Sequence, residues 1–75
     1  MPTIHIIDSI KILIYYDDHF PPHFHAQYNE YEELIEINTL STLQGGLPTK
    51  QRKKVYDWAK KNQDFLIEKW DEFNS

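Results

Sequence analysis

A chain of 75 residues with no cysteine has few ways to hold itself folded. Disulfides are excluded, and so are thiolate metal sites. A domain of this length buries only about 60% of its unfolded surface, so its core is thin. What remains is aromatic packing, a metal held by histidine and carboxylate, or association, a second copy of the chain included. Aromatic residues make up 15% of the sequence and hydrophobic residues 40%, which speaks for one globular domain over residues 1–75 and against disorder. There is no signal peptide and no apolar run long enough to cross a bilayer, so the cytoplasm is the expected location, with no membrane partner. The net charge of −4 argues against a general nucleic-acid binder.

The first half reads as strands. Thr3–Ile7 alternates weakly, as a short edge strand does. Ile10–Tyr16 is β-branched and aromatic, with Ile10, Ile12, Ile14 and Tyr16 on one face. Asp17–Pro22 breaks the pattern. His23–Tyr28 and Tyr31–Asn38 follow, separated by Asn29-Glu30, a two-residue hairpin turn in which Asn29 tolerates positive φ and Glu30 fits poorly. Thr42–Gln44 is a further short candidate before Gly45-Gly46. From Leu47 the pattern is helical, with Pro48 suited to the first turn. Val55, Trp58, Ala59, Leu66, Trp70 and Phe73 share one arc of the wheel. Asn62 falls inside that arc, either as a packed polar residue or as the point where one long helix splits into two. The expected fold is α+β: an antiparallel sheet of three to four strands with one long or two short C-terminal helices packed on one face. Trp58, Leu66 and Trp70 are expected to meet Ile12, Ile14 and Phe24 there.

Three of the four histidines, His19, His23 and His25, fall within seven residues, beside Asp17 and Asp18. If Asn29-Glu30 is the turn, Phe24 opposes Ile35, His25 opposes Leu34 and His23 opposes Glu36. Opposed residues share a face, so His23, His25, Gln27, Glu32 and Glu36 form a polar face. The loop Asp17–Phe20 enters at its His23 end. Three readings of this patch stand side by side. In the first, His23, His25 and Glu36 bind a divalent metal, Zn²⁺, Mn²⁺ or Fe²⁺. In the second, Asp17, Asp18, His19, His23, His25 and Glu36 perform metal-free acid–base catalysis, such as cleavage of an RNA phosphodiester. In the third, Asp17 and Asp18 cap a turn, the histidines hydrogen-bond their own loop, and the face is structural or meets a partner. His5, in the first strand, reads as surface.

The string YYDDHFPPHFH at Tyr15–His25, followed by a Tyr- and Glu-rich strand, then Leu47-Pro48, then a helix with Trp58 and Trp70, resembles the bacterial domain-of-unknown-function 4160 family. The likeness covers nearly the whole chain. It implies no established activity. It does imply a context: such genes often sit beside a second small gene, commonly of the domain-of-unknown-function 2442 family, in pairs that look like toxin–antitoxin modules. The partner it implies is the product of that neighbouring gene.

The helical half is split by charge. Residues 49–61 carry +5 and the rest of the chain −9. Lys50, Lys53, Lys54, Lys60 and Lys61 occupy the arc opposite Val55, Trp58 and Leu66. Cations near a helix start oppose its dipole. Either two helices divide the charge near Asn62, or Lys50, Lys53, Lys54 and Lys61 hold phosphate or an acidic partner, or the face is merely solvated. No P-loop and no dinucleotide fingerprint is present. The reading that joins these features is a component of a toxin–antitoxin-like module that acts through a protein partner and on RNA. Its alternatives are a non-catalytic, antitoxin-like binding module and a small metal-binding protein. Net acidity favours the non-catalytic form, because RNA-cleaving toxins need a cationic surface.

Overall fold

Every alternating run of the first half is a strand in the computed structural model, which describes residues 3–74. The strands β1 (Thr3–Ile7), β2 (Ile10–Leu13), β3 (His23–Tyr28), β4 (Tyr31–Glu36) and β5 (Thr42–Gly45) pair in chain order as one antiparallel meander. Two helices follow, α1 (Thr49–Lys61) and α2 (Gln63–Asn74). The sheet thus has five strands where three to four were expected. The edges β1 and β5 are short and mostly exposed, so their sequences alternate weakly; hydrogen bonding to a buried neighbour supplies the order their pattern lacks.

The β3–β4 register is the expected one. Tyr28 opposes Tyr31, His25 opposes Leu34, Phe24 opposes Ile35 and His23 opposes Glu36. Asn29 takes the positive φ of the turn, at 52°, and Asp8 does the same between β1 and β2 at 53°. Short polar side chains tolerate this region by bonding locally. Gly45 closes β5 at φ 72°, where any Cβ would collide with the Glu32 carbonyl oxygen.

Two strands end earlier than their sequences suggest. β2 stops at Leu13 because the end of α2 takes over the next backbone groups. Asn74 Nδ2 donates to the Tyr15 carbonyl (3.2 Å), and the Asp18 N–H donates to Asn74 Oδ1 (2.6 Å). β4 stops at Glu36, whose carbonyl accepts from the Leu40 N–H (2.8 Å), while the Ile37 N–H turns to the Pro22 carbonyl (2.9 Å).

One sheet face carries Ile10, Ile12, Ile14, Phe24, Ala26, Ile35 and Ile37, and both helices pack on it through Val55, Ala59, Leu66 and Trp70. Trp70 and Leu66 are fully enclosed, whereas Trp58 is only half-buried. It lies at the edge of the sheet, with the His5 ring stacked on it at 4.7 Å and 8°. His5 is exposed, as its sequence suggests, yet its register partner Ile12 faces the core and its ring lies against the helix layer. Pro48 is the N-cap of α1, one place before the first turn. The helices divide at Asn62, which is both the packed residue and the break. Its Nδ2 donates to the Trp58 carbonyl (2.7 Å), and its own carbonyl accepts from the Leu66 N–H (3.0 Å) to start α2.

Candidate functional site

The loop between β2 and β3 folds back over the start of β3 and brings Asp18 to the two histidines of that strand. Asp17 makes the bend, at φ 52°, and its N–H points to the Phe73 carbonyl (3.5 Å). Asp18 is then set by two bonds: its N–H is held by Asn74, and its Oδ1 accepts the His19 N–H (2.8 Å). This leaves Oδ2 turned to the rings. It lies 3.0 Å from His23 Nε2 and 3.5 Å from His25 Nε2. The ligand-type atoms of Asp18, His23 and His25 all fall within 4.8 Å of one another.

The remaining ring nitrogens are also engaged. His23 Nδ1 donates to the Pro21 carbonyl (2.8 Å), and His25 Nδ1 meets Glu32 Oε2 (3.0 Å). Gln27 Nε2 donates to the same Glu32 oxygen (3.1 Å) and fixes it. Aromatic neighbours enclose the rings: Tyr15 stands edge-on to His25 at 4.5 Å, and Trp70 lies 5.2 Å from His23. The side chains of His23, His25 and Asp18 are 7%, 13% and 21% exposed, so the cluster lies just under the surface. Burial alone would raise the Asp18 carboxyl, but the His19 N–H and the His23 and His25 rings outweigh it and hold it below the usual carboxylate value. The hydrogen bond from Gln27 lowers Glu32, against burial and with help from His25.

Of the expected site residues, the structure joins Asp18, His23 and His25 and leaves the others outside. Glu36 is paired with His23 across the strands, yet the carboxylate that closes on the rings is Asp18. Glu36 lies where β4 turns away, whereas the loop carries Asp18 over the rings. Asp17 contributes backbone geometry. His19 is exposed and contributes its N–H, while its ring lies outside the cluster. On the basic arc, Lys53 is paired with Asp57 (3.1 Å) and Lys54 with Asp8 (2.6 Å). Lys50 and Lys61 have no ion-pair partner among the described residues. Asp8 is lowered by that hydrogen bond and by the Lys54 charge. The arc is thus more neutralised than the sequence alone suggests, because the β1–β2 turn brings Asp8 to it.

A second polar group escaped the sequence reading. Glu33 is fully buried on the core side of β4. Its carboxylate accepts from Arg52 Nε (3.0 Å), from the Leu47 N–H (3.0 Å) and from the Thr42 hydroxyl, and an Arg52 amino group also reaches the Thr42 oxygen (3.0 Å). This network fastens the start of α1 to β4 and β5. The signal was present: Glu33 occupies an apolar register position, and the basic run of α1 contains the chain's single arginine.

An antiparallel meander backed by two helices, with a closed Asp–His–His group at the start of its third strand, defines the class of this molecule. The chain belongs to the family described as domain of unknown function DUF4160, whose model matches residues 9–71. No curated protein and no solved structure matches the sequence. No helix among the described residues is long and apolar enough to cross a membrane.

Proposed function

We propose that this protein is a non-catalytic binding module that acts through a protein partner, in the two-gene, toxin–antitoxin-like setting that its family resemblance implies. The observation that carries this reading is a pair of exposed aromatics on the loop above the cluster. Phe20 is 79% and Tyr16 63% exposed. Neither is loose: Tyr16 packs on Phe73 at 4.6 Å and Phe20 lies 6.0 Å from Trp70. Large aromatic side chains held in place from below and open to water above are the residues that anchor protein interfaces. A catalytic role for the histidines draws less support. A general base needs a ring nitrogen open to substrate, and all four here face oxygens of the same chain. Action on RNA draws less support too, since Lys53 and Lys54 are taken up by carboxylates.

The test is the affinity of the chain for the product of the neighbouring gene. Phe20→Ser and Tyr16→Ser are each expected to weaken binding at least about 30-fold, the 2 kcal/mol that marks an interface anchor. Their melting temperatures should stay close to wild type, because exposed positions contribute little to stability. Unchanged affinity in both variants contradicts the reading.

A further inference from the structure

We propose that Asp18, His23 and His25 form a binding site for a first-row divalent transition metal, of which Zn²⁺ is the natural probe. The ring nitrogens outnumber the protons that two neutral imidazoles carry. Four ring nitrogens face four oxygen contacts: Pro21 carbonyl and Asp18 Oδ2 for His23, Glu32 Oε2 and Asp18 Oδ2 for His25. An ionised carboxylate and a carbonyl only accept. Two neutral imidazoles supply one N–H each, so two of the four contacts would set a nitrogen lone pair against a carboxylate oxygen. With both carboxylates ionised, the four contacts ask for more N–H groups than two neutral rings supply, and the rings stand side by side with centroids 5.3 Å apart.

A divalent cation removes the conflict. The Nδ1–H groups then serve Pro21 and Glu32, and both Nε2 lone pairs join Asp18 Oδ2 on one ion. The outer half of this arrangement already exists. Metal-binding histidines donate their second ring N–H to a carboxylate or a backbone carbonyl, which fixes the tautomer and aims the other nitrogen. His25 has Glu32 in that place, itself held by Gln27, and His23 has Pro21. Distances agree. Ligand atoms about 2.0–2.1 Å from a tetrahedral zinc lie about 3.3 Å from each other, and the two nitrogen–oxygen separations here are 3.0 and 3.5 Å. Charge agrees as well, since Asp18 and Glu32 together balance a doubly charged ion. Two imidazoles and one carboxylate suit zinc, iron, nickel or copper and disfavour magnesium and calcium, which take oxygen ligands. Three protein ligands leave at least one coordination position for water or for a group from a partner. The expected ligand Glu36 has no part in this set.

The test uses the full chain stripped with a chelator, then titrated with Zn²⁺ or with Co²⁺ as its spectroscopic substitute. Uptake of one ion per chain, a Co²⁺ ligand-field spectrum and a rise in melting temperature are expected, with no response to Mg²⁺ alone. Asp18→Asn, His23→Gln and His25→Gln should abolish the spectrum. Glu32→Ala should weaken binding about 10- to 100-fold, the usual cost of losing an outer-sphere partner. His5→Ala and His19→Ala should bind like wild type. Equal uptake by His25→Gln, or no uptake by wild type at millimolar metal, overturns the proposal. If a variant unfolds, X-ray absorption by the Zn²⁺-loaded wild type decides: two imidazole nitrogens are expected, and a shell of oxygens or a single imidazole overturns it.

Discussion

Glu33 shows how a single residue can run against its own chemistry and still hold a fold together. A carboxylate with no exposure is costly unless every oxygen is served. Here three donors converge on it, one from the chain entering α1, one from β5 and one from α1 itself. Removing one partner of such a pair strands the other charge. Arg52→Ala is therefore expected to cost about 3 kcal/mol, while Lys50→Ala, on the same helix but exposed, should stay within about 0.5 kcal/mol. Denaturant midpoints of the two variants check this, and equal small losses would show that the network contributes nothing. Glu33 also marks where the sequence was readable and unread. Strand alternation put Ile35 inside, and the same alternation puts Glu33 inside. Arg52 stands among Lys50, Lys53 and Lys54, a run in which nothing local sets it apart.

The elements were legible to different degrees, for physical reasons. The pairing of the β3–β4 hairpin was legible because the two-residue turn leaves only one register, and that register sets His23 opposite Glu36 and Phe24 opposite Ile35. The helix break at Asn62 was visible as a polar residue in an apolar arc, though pattern alone did not choose between packing and capping; the bond to the Trp58 carbonyl makes it both. The weights of the two tryptophans were not legible. Periodicity placed Trp58 and Trp70 on one arc, but Trp58 meets the edge strand β1, where the exposed His5 ring stacks on it. Trp70→Ala should cost about 3–5 kcal/mol and unfold much of the population. Trp58→Ala should cost about half as much, because only part of its area is removed from water. Thermal melts order the two; a larger loss for Trp58 would contradict the packing described.

At the scale of the molecule, the sheet is a frame that carries a loop, and the C-terminal end of α2 ties that loop down. Asn74 lies 56 residues from Asp18 in sequence, yet it sets that backbone. Such a contact leaves no local pattern, which is why Glu36, paired with His23 by register, looked like the partner carboxylate and Asp18 proved to be the one that reaches the rings. Both rings are turned inward, Nδ1 to Pro21 and Glu32 and Nε2 to Asp18, and the site depends on this. A long-range proton–nitrogen correlation spectrum of the imidazoles in the metal-free protein tests it most directly. It should find Nδ1 protonated in His23 and His25, with those protons slow to exchange with water, while the exposed His19 ring exchanges freely. A His23 ring carrying its proton on Nε2 alone, with Nδ1 bare, would contradict the claim.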